Sequence, residues 1–143
     1  MDEVLEMLDK TVKRIQKTAE ETKEAVWKQS SIYEQLQHSP EATQEQKIKA
    51  FIKKTLELNR LEGLNSQLSL LYSLQIFAFK VKVLEVSVEK INEQLMKSGV
   101  LQNNGEVEDI KKNIEALKIL IEAQYESMKE INDSQKKNLS YIH

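Results

Sequence analysis

The sequence contains no cysteine, one proline and three glycines. Without cysteine the chain forms no disulfide and offers no thiolate for catalysis or metal binding. Because proline and glycine are scarce, few positions allow the chain to turn, and its secondary-structure elements must be long. A composition of 31% charged and 40% hydrophobic residues is typical of long helices and coiled coils.

A concentrated positive face is also absent. The net charge is −2, with both signs interleaved. Nucleic-acid binding requires a cationic surface, so we expect no nucleic-acid partner. No basic run exceeds a pair, such as Lys53-Lys54, Lys111-Lys112 or Lys136-Lys137.

Long hydrophobic runs are missing as well. The most apolar segment, from Leu68 to Phe79, ends at Lys80 after about 12 residues, whereas a membrane span needs about 20. The acidic start lacks the basic and apolar regions of a secretory signal or transit peptide. We therefore expect a soluble, cytoplasmic protein.

Side chains suited to catalysis or metal binding are few. The only histidines are His38 and His143. Glu34 lies one helical turn before His38, and one imidazole with one carboxylate is too few ligands for a zinc or iron site. A histidine at the end of a helix is favoured by the helix dipole without any ligand. The serines form no nucleophile elbow, and no glycine-rich phosphate loop is present. We expect no enzymatic activity, no metal and no cofactor.

The first part of the chain has one continuous apolar seam, which predicts a helix over about residues 2–37. The seam steps alternately by three and four through Leu5, Leu8, Val12, Ile15, Ala19, Thr22, Val26, Gln29, Tyr33 and Leu36. Pro40 disfavours helix at the residue before it, and Ser39 is a suitable cap. The spacing predicts a second helix that begins at Pro40 and forms an antiparallel hairpin with the first.

The second predicted helix extends over about residues 40–97. Gly63 is the one possible break, but a glycine inside a helix costs only about 1 kcal/mol, so we expect a continuous or gently kinked helix. The segment from Phe77 to Val88 is rich in β-branched residues and resembles a strand. We predict helix there, because no second strand is present to pair with it and the three-four spacing continues through it.

Gly99 and the run from Gln102 to Gly105 predict the second turn. A third helix over about residues 106–138 follows. The predicted fold is all-α, a single helical-bundle domain over residues 1–143 with three long antiparallel amphipathic helices, the middle one longest. The third seam reads Val107, Ile110, Ile114, Leu117, Ile121, Gln124, Met128, Ile131, Gln135, Asn138 and Ile142.

The helix lengths predict an uncovered surface. At 1.5 Å per residue, helices one and three are each about 55 Å long and helix two about 85 Å. Folded back, the start of helix one reaches Tyr72 and the end of helix three reaches Glu62, so both cover helix two only between Glu62 and Ile76. A second apolar stripe runs past that overlap, which predicts a partner on helix two, either a second copy or a helical protein. The alternative is a kink at Gly63 that closes one chain into a four-helix bundle. The stripe consists of Tyr72, Ile76, Phe79, Val83 and Val86.

Trp27 lies one position off the first seam and is a candidate interface residue, although it also fits the edge of a core. Polar residues within the seams either select the register of packing or lie on a solvated edge. These polar residues are Thr22, Gln29, Gln124 and Gln135.

The sequence therefore favours a non-enzymatic helical-bundle module for protein–protein interaction, a self-associating subunit or an adaptor of a larger assembly. One alternative is a peripheral membrane protein with amphipathic helices, which the interleaved acids disfavour. A chaperone for a helical client would use the same apolar faces.

Overall fold

The computed structural model describes residues 1–99 and 105–140, with side chains up to residue 129. These residues form helices α1 (Asp2–Gln37), α2 (Gln44–Ser98) and α3 (Gly105–Ser140), and no strand. The predicted all-α fold with the middle helix longest is confirmed. Helix α2 is continuous through Gly63, and the segment from Phe77 to Val88 is helical throughout.

Helix α2 begins later than the sequence suggested. Its first residue is Gln44 rather than Pro40, because Thr43 and Gln46 form a reciprocal capping box. The Thr43 hydroxyl accepts a hydrogen bond from the Gln46 N–H at 3.2 Å, and the Gln46 side-chain oxygen accepts one from the Thr43 N–H at 3.0 Å. Ser39 instead belongs to the turn, where its carbonyl accepts a 3.4 Å hydrogen bond from the Ala42 N–H.

Gly99 ends α2, as the sequence predicts. Its φ of +66° is the left-handed conformation that only glycine adopts readily, and its N–H donates to the Met96 carbonyl at 3.3 Å. The remainder of the predicted turn, residues 100–104, lies outside the described residues.

The chain divides into two compact units, each built from parts of several helices. We call Met1–Lys10 with Leu71–Lys129 the three-helix unit, and Thr11–Leu70 with Glu130–His143 the hairpin unit.

In the three-helix unit, the start of α1 and the helix α3 both pack on the second half of α2. The core includes Leu8, Leu71 and Ile121, each at most 1% exposed. Lys118 of α3 pairs with Glu85 of α2 at 2.7 Å, and Lys82 of α2 pairs with Asp2 of α1. The start of α1 therefore reaches Lys82 rather than the neighbourhood of Tyr72 that the helix lengths predict, partly because α2 begins later than expected.

In the hairpin unit, the end of α1 packs against the beginning of α2 across their short connection. The rings of Tyr33 and Phe51 lie 5.8 Å apart, and the Lys54 ammonium lies 4.9 Å from the centre of the Tyr33 ring. The two helices are therefore antiparallel here, and small and polar side chains are frequent in their core. The buried residues are Thr11, Val12, Ile15, Ala19, Thr22, Ala50, Glu57, Leu64 and Gln67.

Candidate functional site: exposed apolar faces of helix α2

The predicted stripe lies on the surface of the three-helix unit. Its exposed fractions range from 40% at Val86 to 60% at Phe79, whereas Ala78 and Val81 on the same helix are 0% and 1% exposed. Neighbouring positions thus separate into a core side and an outer side. We call this outer set the distal stripe: Tyr72, Ile76, Phe79, Val83 and Val86.

The distal stripe follows from the spacing of its members. Steps of four and three keep the side chains on one side of a helix, about 110° around from the line of Leu71 and Ala78 that enters the core. The stretch of sequence between Glu62 and Glu85 contains no acid, and its only charges are Lys80 and Lys82. The distal stripe is therefore apolar, with positive charge at its margin.

A second row of exposed apolar residues lies on another side of the same part of α2. Phe77, Leu84 and Ile91 follow one another at intervals of seven residues and are exposed. Repetition every seven residues places them in one line along the helix. In this part of the chain α2 is apolar around most of its circumference.

Helix α2 also carries an outer apolar patch in the hairpin unit, which the sequence pattern alone does not predict. Ile48, Phe51, Ile52 and Leu58 are between 37% and 56% exposed, and we call them the proximal patch. The signal that distinguishes the sides is the line of Ala50 and Leu64, spaced at multiples of seven, which is buried instead.

Trp27 belongs to the hairpin unit and is 71% exposed, so it does not form part of the core edge there. The distal stripe belongs to the three-helix unit. The structure therefore groups the candidate residues of α2 and leaves Trp27 outside that group.

The polar seam residues differ from one another in burial. Thr22 is buried and its hydroxyl donates to the Thr18 carbonyl at 2.8 Å, while Gln29 is half-buried. The assignment of Gln124 to the seam was wrong, because Tyr125 occupies that position and Gln124 is exposed. The Gln135 side chain lies outside the described residues.

Helices α1 and α3 of the three-helix unit line an open groove of about 510 Å³. Apolar side chains such as Val4 and Ile119 alternate there with the carboxylates of Glu3, Glu122 and Glu126. Among the described residues, no group of three or more histidines and carboxylates is placed to hold a metal ion. His38 contacts Glu34 at 3.7 Å on the surface.

Each of two ion pairs within the three-helix unit shifts the pKa of one of its members. The hydrogen bond and charge of Lys82 lower the pKa of Asp2. Hydrogen bonds to Glu85 and then to Glu115, the latter at 2.9 Å, raise the pKa of Lys118. Both pairs join neighbouring helices, so they help to fix the packing of α1 and α3 on α2.

No helix in the described part of the chain is both long and apolar enough to span a membrane. Comparison of the chain with family models, curated proteins and solved structures finds no match.

Proposed function

We propose that this chain is a non-enzymatic protein–protein interaction module that self-associates through α2 as a subunit of a larger assembly. The observation that carries the proposal is the distal stripe, whose five side chains are each at least 40% exposed. Single exposed apolar residues are ordinary on protein surfaces, but a continuous apolar patch of this kind marks an interaction site.

The size of the distal stripe supports this proposal. With about 200 Å² for a full aromatic side chain and somewhat less for the aliphatic ones, the exposed fractions correspond to roughly 500 Å² of mainly apolar surface. Protein interfaces are a little over half apolar and bury about 800 Å² on each partner. With a polar rim, the distal stripe is large enough for an interface of standard size.

Light scattering over a hundred-fold range of dilution tests self-association. We expect a mass above that of one chain that falls on dilution. Val83→Asp should abolish the larger species while leaving the helical circular dichroism signal unchanged, because Val83 is 49% exposed. The matched variant Val81→Asp, at a buried position two residues away, should unfold the three-helix unit.

Two results would contradict the proposal. One is a wild-type chain that remains monomeric at every concentration. The other is a chain that co-sediments with anionic vesicles and loses this property in Val83→Asp without any change in its mass, since this would assign the distal stripe to a membrane surface.

A further inference from the structure

The groove between α1 and α3 of the three-helix unit is lined by apolar side chains and by carboxylates. The buried side chains of Val4 and Tyr125 and the exposed one of Ile119 supply its apolar lining. The described residues that line the groove include no lysine, no arginine and no residue of α2. Its carboxylates are exposed and form no ion pair within the described part of the chain. They belong to Glu3, Glu122 and Glu126.

The distal stripe has the complementary properties. Lys80 directly follows Phe79, is exposed, and forms no ion pair among the residues that the structure describes. The next acid along the helix, Glu85, pairs with Lys118 of its own chain at 2.7 Å. The distal stripe is therefore an apolar ridge with a free positive charge beside it.

We propose that the distal stripe of one copy of the chain docks into the groove of a second copy. The apolar side chains then pack together, and Lys80 lies beside the carboxylates of the groove, where opposite charges favour the contact. Both α1 and α3 pack on α2 within the three-helix unit, so the incoming α2 occupies the place of a fourth helix in a bundle. This inference rests on the proposed function and adds the surface that receives the stripe.

The groove and the distal stripe agree in length. Along α3 the lining runs from Ile119 to Glu126, a separation of seven residues or about 10 Å. Ile76 and Val83 are also seven residues apart, with Phe79 between them. Their side chains therefore match the groove over two helical turns. The groove volume of about 510 Å³ lies within the range of about 300–1,000 Å³ found for sites that enclose mainly apolar groups.

Packing one distal stripe on another is less favourable. In an antiparallel pair centred on Phe79, Lys80 of each copy flanks the same side of the contact, and the two ammonium groups repel each other. A parallel pair in register brings Lys90, one helical turn after Val86, against Lys90 of the second copy. Neither arrangement covers the groove. The carboxylates of the groove instead supply the charge that the stripe lacks.

The distal stripe and the groove are separate surfaces of one unit, so a contact between them is heterologous. Each pair of copies leaves one stripe and one groove free, and further copies add there to form a ring or a filament. We therefore expect an assembly that grows beyond two chains as the concentration rises. Two stripes packed on each other would stop at a dimer.

Mixing two variants of the chain tests the pairing. Val83→Asp damages the stripe and leaves the groove intact, whereas Glu122→Lys with Glu126→Lys reverses the charge of the groove and leaves the stripe intact. We expect each variant to be monomeric alone in sedimentation velocity. Their equimolar mixture should form a complex with one chain of each, because one working stripe meets one working groove. This complex should grow no further, since its remaining stripe and groove are both altered.

Two further variants separate charge pairing from a loss of folding. Adding Lys80→Glu to the groove variant exchanges the charges of the two surfaces, so the triple variant should regain much of its self-association. Glu20→Lys with Glu24→Lys makes the same charge change at the same spacing on exposed positions of the hairpin unit, and should assemble as the wild type does. Circular dichroism should show the same helical content for all of these chains.

Either of two results would overturn this inference and leave self-association through the distal stripe intact. One is a groove variant that assembles alone as the wild type does. The other is a mixture that stays monomeric although the wild type assembles. A wild-type chain that is monomeric at every concentration would overturn both proposals.

Discussion

Variants at the adjacent positions Phe79 and Ala78 distinguish a loss of self-association from a loss of folding. Phe79 is 60% exposed and Ala78 is fully buried, although they are adjacent on α2. A carboxylate at position 79 faces solvent in a single chain and would face an apolar partner in the proposed assembly. A carboxylate at position 78 enters the core in every state of the folded chain. The variants Phe79→Asp and Ala78→Asp therefore introduce the same charge with opposite consequences.

The magnitudes follow from the exposed fractions. A phenylalanine side chain of about 200 Å² that is 60% exposed offers about 120 Å² to a partner, or about 3 kcal/mol of apolar burial. Loss of this burial energy from one copy raises the dissociation constant by about a hundred-fold, and a symmetrical dimer would lose the same energy from each copy. The buried remainder of Phe79, about 80 Å², bounds the loss of folding stability at about 2 kcal/mol. An unpaired carboxylate at position 78 costs on the order of 5 kcal/mol, comparable to the stability of a whole domain.

Sedimentation velocity across a dilution series and thermal unfolding followed by circular dichroism measure the two effects. We expect Phe79→Asp to be monomeric and to melt cooperatively with nearly the helical content of the wild type. Ala78→Asp should lose helical signal at room temperature. If Phe79→Asp unfolds as severely as Ala78→Asp, the side chain belongs to a core. If it associates as tightly as the wild type, the distal stripe is not the contact surface.

Three further changes test individual features of the fold. Thr43→Ala should lower the free energy of unfolding by about 1 kcal/mol because it removes the cap of α2, whereas Thr43→Ser should restore most of it. Gly99→Ala should cost about 1–2 kcal/mol from its positive φ alone, since no atom lies near the added methyl group. Lys118→Ala should cost about 1 kcal/mol by removing the ion pair with Glu85. Because folding raises the pKa of Lys118, this contribution is complete below the ordinary lysine pKa of 10.5 and is lost only as the pH rises above it, so the two chains should converge in urea titrations at the highest pH.

Much of the fold was predictable because hydrophobic periodicity fixes helices and their buried sides. The seam of α1 through Leu8, Val12 and Ile15 is buried as predicted. The β-branched stretch after Phe77 is helical because the three-four spacing outweighs intrinsic preference when a core is available to bury it. The distal stripe was identified by the same reasoning, since a second periodic row on one helix needs a second surface.

The boundary of α2 was less predictable because two capping signals compete within a few residues. Ser39 followed by Pro40 resembles a helix start, but the pair Thr43 and Gln46 satisfies two backbone groups reciprocally and determines the first turn. A similar choice arises in α3, where Gln124 and Tyr125 lie three and four residues after Ile121. Tyrosine is buried there because its ring contributes far more apolar area than the methylenes of glutamine.

The proximal patch could not be predicted from the sequence, because the small residue Ala50 rather than a larger neighbour lies on the buried side of α2. The helix buries Ala50 and exposes Phe51, although a rotation of one residue would bury the larger side chain. Glu57 and Leu64 lie seven and fourteen residues after Ala50 and are also buried, and this line within the hairpin unit fixes that rotation. A side chain as small as that of Ala50 allows a neighbouring helix to approach closely, and the larger Phe51 beside it stays exposed. An arrangement that leaves Ile48 and Phe51 outside the core is unfavourable for an isolated chain but favourable for one whose proximal patch is covered by a partner.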